Sequence, residues 1–169
     1  MKSYTFSEIF DSKATIEELF DELGYTYQPD WLHLQKNLDE NKMIQDIAYQ
    51  IEDRLQRRLP RISLSSEMAR REFIVAHILG ELLDILETKS DMKIKVEYPV
   101  KGTRLRGNVD YVLDGSKAVV VIEAKHDEME RGFRQLGAEM IGVAEQRDLN
   151  RLLWGSHNWT IVAIWPAQA

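Results

Sequence analysis

From Gly107 to Glu128 the chain reads GNVDYVLDGSKAVVVIEAKHDE, and this stretch constrains the fold more than any other. It has the pattern of strand, turn, strand: NVDYVLD, a turn at Asp114-Gly115-Ser116, then KAVVVIEAK. After a run of apolar residues the second strand ends in Glu123-Ala124-Lys125, an odd finish for a buried strand. Successive side chains on a strand alternate faces, so Val121, Glu123 and Lys125 share one face and Val120, Ile122 and Ala124 the other. With Asp114 to Lys117 as the turn, Leu113 faces Ala118, Tyr111 faces Val120 and Asp110 faces Val121. Asp110 then lies on the side of Glu123 and Lys125, with Glu123 as its diagonal neighbour roughly 7 Å away between backbones. Two carboxylates and one ammonium converge at the end of the hairpin remote from the turn.

The rest of the chain supplies what must surround such a hairpin. Ile16, Leu19, Phe20 and Leu23 keep helix spacing over 13–23, with Asp11 or Ser12 as cap and Gly24 as stop. A loop with Pro29 follows. A longer amphipathic helix is predicted from Asn37 to Leu59, closed by Pro60. A third helix starts at Ser65 or Ser66 and is the most apolar of the three. Then the period changes. KIKVEYPV alternates and reads as a half-buried strand before the hairpin. A helix over 132–145 and a last strand, NWTIVAIW, come after it. Helices, three strands, helix, strand is the order of an α+β or α/β domain with a mixed central sheet flanked by helices. The first 60 residues read as an N-terminal helical extension, and 61–169 as the domain core.

Composition narrows the classes. The apolar fraction is 44% and cysteine is absent, which gives a real core but no disulfide framework and no thiolate metal site. No apolar run reaches the 18 or so residues of a membrane span, and the N-terminus lacks the order of a secretory signal. A soluble intracellular protein without a membrane role is expected. Net charge is −6, which by itself argues against nucleic acid. The acids crowd the first 53 residues, however, and the arginines come later, so net charge does not settle the partner. There is no phosphate loop, no dinucleotide fingerprint, no nucleophile elbow and no HExxH pair among the four histidines.

Asp110, Glu123 and Lys125 suit a hard divalent cation. Magnesium takes oxygen ligands at about 2.1 Å, keeps several waters, and is commonly held by one or two carboxylates plus a substrate phosphate. The Ala124 carbonyl is a further oxygen, and Lys125 can orient a water or offset charge on a phosphate. The same trio also reads as a plain surface salt bridge, which is common and contributes little.

The flanking residues carry a resemblance. GNVDYVL, then about ten residues, then VVVIEAK, then GFRQL resembles the PD-(D/E)XK nuclease superfamily, over roughly Ser65 to Val143. The resemblance implies a restriction endonuclease-like core, a mixed sheet of about four strands with helices on each side, and metal-dependent cleavage of nucleic acid. It makes Asp110 the motif aspartate and Glu123 and Lys125 the E-x-K pair. Gln135 becomes the helical glutamine beside the lysine. Val109 stands where the motif name has proline. Many members add an acid from the helix before the sheet, and here Glu67, Glu72 and Glu81 are candidates. SEMARREFIVAHIL resembles the restriction-like opening S-E-x-x-x-R-x-x-I, which favours Glu67, with Arg71 one turn on; a helix N-terminal acid favoured by the dipole is the simpler alternative.

The reading that follows is a Mg2+-dependent nuclease, with Mn2+ as substitute, acting on DNA. Asp110, Glu123 and Ala124 hold the metal, Lys125, Gln135 and Glu67 complete the catalytic set, and Arg104, Arg106, Arg131 and Arg134 flank it for phosphates. The rival is a nuclease fold without the reaction, a binding or regulatory module. Its partner docks on the acidic N-terminal helices. A homodimer is compatible with either.

Overall fold

The computed structural model describes residues 3–25, 42–86, 91–115, 119–123, 129–148, 153–157 and 159–164. The chain has an α+β fold with a mixed sheet packed against helices. Its contacts divide it into two compact units, Met1–Pro29 with Ser90–Ala169, and Asp30–Lys89. This differs from a boundary near residue 60. The reason is apolar: Phe6, Ile9, Leu19, Phe20 and Leu23 are buried in the same core as Val109, Val112 and Val121 of the sheet, so the first helices belong to the sheet unit.

In that unit β1 (Tyr4–Thr5), α1 (Phe6–Phe10) and α2 (Ile16–Glu22) come first. Both helices open with a reciprocal capping box. Thr5 accepts from the Glu8 amide and Glu8 from the Thr5 amide; Thr15 and Glu18 do the same. The cap of the second helix is thus Thr15, not Asp11 or Ser12, because only Thr15 has a glutamate three residues on.

The sheet strands β2 (Lys93–Lys101), β3 (Leu105–Asp114) and β4 (Val119–Ile122) form an antiparallel meander. These and β6 (Trp159–Ile164) are the four expected strands. Two more complete the sheet: β1 pairs parallel with β3, and β5 (Leu153–His157) pairs antiparallel with β6, which also pairs with β4.

One helix covers this sheet: α6 (Met129–Arg147), longer at both ends than its apolar spacing predicts. It lies against β2, β3, β4 and α1, and its residues 136–144 are all buried. The Phe6 ring sits between β3 and α6. A Cβ on Gly107 would come within 2.5 Å of Phe6 Cδ2, and one on Gly142 within 3.3 Å of Phe6 Cζ. Gly107 also has φ of 153°, a conformation that side chains with a Cβ rarely adopt. At the other end of the hairpin, Asp114 is held by Lys95 Nζ at 2.6 Å and by Arg147. Burial raises its pKa, but hydrogen bonds from Lys95 and Arg147 outweigh burial, so the carboxyl sits below the usual value of 3.8.

The second unit is helical among its described residues. α3 (Lys42–Arg58) runs into a 3-10 turn, Leu59–Arg61, at Pro60. The next helix is α4 (Glu67–Arg70), a π turn (Arg71–Val75), and α5 (Ala76–Leu86). Ser66 caps α4, its Oγ accepting from the Ala69 amide at 3.1 Å. Arg54 of α3 pairs with Glu81 of α5. No helix among the described residues is long and apolar enough to cross a membrane.

Candidate active site

β2 pairs with β3 from Lys101↔Arg106 to Lys93↔Asp114, which occupies one edge of β3. β1 and β4 therefore share the other edge. β1 pairs at Leu105 and Arg106, and β4 from Tyr111 to Asp114. The two ladders stop short of each other, with residues 107–110 between them.

Asp110 stands at the edge of this interruption. The observed register is Tyr111↔Ile122 and Leu113↔Val120, two residues away from the pairing that a turn over 114–117 predicts. An even shift keeps every side chain on its face. It changes the partner: one step beyond Tyr111↔Ile122, Asp110 stands opposite Glu123 rather than diagonal to it. Cβ atoms of directly opposite residues lie roughly 4.5–5.5 Å apart. Both carboxylates are buried, Asp110 at 8% exposure and Glu123 at 7%. Two carboxylates so close, and so little hydrated, repel each other unless a proton or a cation joins them.

β2 is irregular at the same level. Its ladder passes from Val96↔Tyr111 to Tyr98↔Val109 and skips Glu97, whose φ is 49°. The register therefore sets Glu97, Asp110 and Glu123 in one row across three strands. Glu97 is exposed, and sequence alternation does not single it out. Among the described residues no group of three or more His, Cys, Asp or Glu side chains is placed to hold a metal ion. The pair of buried carboxylates still fits a hard divalent cation, since magnesium keeps much of its water.

α6 presents Gln135 to this pair. Its Nε2 donates to Glu123 Oε1 at 2.9 Å and to Glu139 Oε1 at 2.6 Å. Gln135 and Glu139 are one turn apart on the same helix face. Glu139 has 0% exposure and is missing from any reading of the sequence, where one glutamate in an amphipathic helix looks like solvent-facing charge. The signal that could have found it is its neighbourhood, AEMIGVA, too apolar for a surface face.

The other expected residues divide. Lys125 and the Ala124 carbonyl lie outside the described residues. Glu67 stands in the first turn of α4, behind the Ser66 cap, and Glu72 is exposed in the π turn. Both belong to the second unit, as does Glu81, which pairs with Arg54. Of the four arginines, Arg104 donates to Glu145 Oε1 from Nε at 3.1 Å and from a terminal nitrogen at 2.7 Å. Arg134 is 5% exposed and donates to the Ser12 carbonyl at 2.9 Å and to Glu130 at 3.1 Å. These two have internal partners; Arg106 and Arg131 are exposed.

No family model, no curated protein and no solved structure matches the chain. The residues and their geometry carry the functional reading.

Proposed function

We propose that this protein is a divalent-cation-dependent nuclease that hydrolyses DNA phosphodiesters. The observation that carries the proposal is the buried pair Asp110 on β3 and Glu123 just past the end of β4, which the β3–β4 register, continued by one step, sets opposite each other, with the Gln135 amide on Glu123. Asp110 and Glu123 would hold magnesium or manganese. The ion, when bound, supplies positive charge against phosphate oxygens and acidifies water. Gln135 holds Glu123 in place by donating to its Oε1 at 2.9 Å. Lys125, two residues beyond Glu123, is the group assigned to the attacking water and its proton. Low exposure at the carboxylates strengthens every charge interaction there relative to water.

The test is cleavage of supercoiled plasmid and of single-stranded DNA with Mg2+ or Mn2+. Loss of nicking in Asp110→Asn and Lys125→Ala supports the assignment; equal activity in Lys125→Ala and wild type sinks it.

A second reading has support of its own. Net charge is −6, and the described residues contain no three-ligand metal cluster. Both favour a binding module that keeps this fold without the reaction. Calorimetry separates the two: a protein that takes up neither magnesium nor manganese, with or without DNA, is the binding module.

A further inference from the structure

We infer that Glu139 is a positioning residue that locks the Gln135 amide, and through it Glu123, in the single orientation the cation site needs. The inference rests on the proposed cation site for its functional sense, and on geometry for its content. A glutamine amide has two N–H bonds on one nitrogen and an acceptor on its oxygen. Both donors of Gln135 point to carboxylate oxygens, at 2.9 Å on Glu123 and 2.6 Å on Glu139. Ionised carboxylates only accept, so an amide between two of them has to turn its nitrogen to both. One carboxylate alone would leave the second N–H to find another acceptor. Two of them give each N–H its own acceptor and fix which end of the amide faces them.

Burial makes that choice rigid. Glu139 is 0% exposed, within the wholly buried stretch 136–144 of α6. A carboxylate is expensive to bury, and its immediate neighbours at positions 138 and 140 are alanine and methionine. Its contact with Gln135 gives the position a use. The chain Glu139–Gln135–Glu123 then runs from the helix interior to the sheet, and its last member is a proposed cation ligand. Partners in direct contact with a ligand, as Gln135 is with Glu123, typically change metal affinity by about 10-fold to 100-fold when removed, and loss of Glu139 would act through Gln135.

The experiment measures manganese binding by titration calorimetry on the full chain, with folding checked by circular dichroism. Glu139→Gln retains an acceptor for Gln135 and is expected to bind within about 3-fold of wild type. Glu139→Leu has no acceptor and is expected to lose about 10-fold to 100-fold. Wild-type affinity in Glu139→Leu overturns the inference, and so does an equal loss in both variants, which would make charge rather than orientation the cause. A measurement on wild type guards against a leucine variant that fails to fold. In 15N-glutamine-labelled protein, both side-chain amide protons of Gln135 are expected to be protected from exchange; one protected and one freely exchanging proton overturns the clamp. If wild type binds no manganese the cation site itself is wrong, and the amide protons still decide whether Glu139 locks Gln135.

Discussion

Replacing Gly107 by alanine tests how the N-terminal helices are joined to the sheet. The new Cβ would lie 2.5 Å from Phe6 Cδ2, 3.1 Å from Cγ and 3.2 Å from Cε2. The ring cannot retreat, because Gly142 of α6 is on its far side. Overpacking of this kind costs roughly 1–3 kcal/mol. A φ of 153°, unfavourable for a residue with a Cβ, adds about 1–3 kcal/mol. The expected total is about 4 kcal/mol, a large part of the ~5–15 kcal/mol that stabilises a typical domain. Urea unfolding followed by circular dichroism reads it directly. The clash is separated from the backbone strain by combining the change with Phe6→Leu, which removes three ring carbons and by itself costs about 2.4 kcal/mol at ~0.8 kcal/mol per buried carbon. If the Phe6 ring is what the new methyl meets, the double variant is more stable than the sum of the singles by at least ~1 kcal/mol. Strict additivity, or a Gly107→Ala protein within about 1 kcal/mol of wild type, refutes the account.

Three further outcomes are expected. Manganese at 100 times its dissociation constant stabilises the protein by about 2.7 kcal/mol, which raises the melting temperature by roughly 5–10 °C; Asp110→Asn and Glu123→Gln abolish the shift in a thermal melt. Arg134→Ala costs about 2–3 kcal/mol in urea unfolding, because the Ser12 carbonyl loses its charged donor and the packing of the buried side chain is lost, whereas Glu130→Ala, whose side chain is 88% exposed, changes stability by less than about 0.5 kcal/mol. Asp114 has a lowered pKa, so its ion pairs with Lys95 and Arg147 contribute above the usual value of 3.8 and are lost as pH falls through the lower folded value; the acid limb of a stability–pH curve is therefore shallower in Asp114→Asn.

Particular residues show why some of this was legible in the sequence. Alternation is a parity rule, and parity survives an even slip, so Asp110 and Glu123 are assigned to one face whether or not the turn is placed correctly. Register is not a parity rule. The dipeptide Asp114-Gly115 suggests a tight turn, yet Asp114 pairs with Val119, and no local signal fixes how many residues intervene. The two-residue β1 is too short for any period, and β5 carries a glycine in its centre. The break in the third helix depends on a π turn at Arg71–Val75, which has no compositional mark. Glu139 escapes periodicity for a different reason: burial is a property of what packs around a helix, and only the apolar run AEMIGVA around it hints at that.

The pocket that two glycines make for Phe6 has a consequence for the order of events during synthesis. Phe6 leaves the ribosome well before its partners Gly107 and Gly142. Until α6 has emerged, the apolar faces of α1 and α2 lack the surface they pack on, and helices of five and seven residues are marginal on their own even with capping boxes. The intervening residues, Asp30–Lys89, make a compact unit of their own and can fold in that interval. Growth of the chain at ~5–20 residues per second sets a wait of several seconds or more between Phe6 and Gly142, during which the apolar faces of α1 and α2 most need a chaperone.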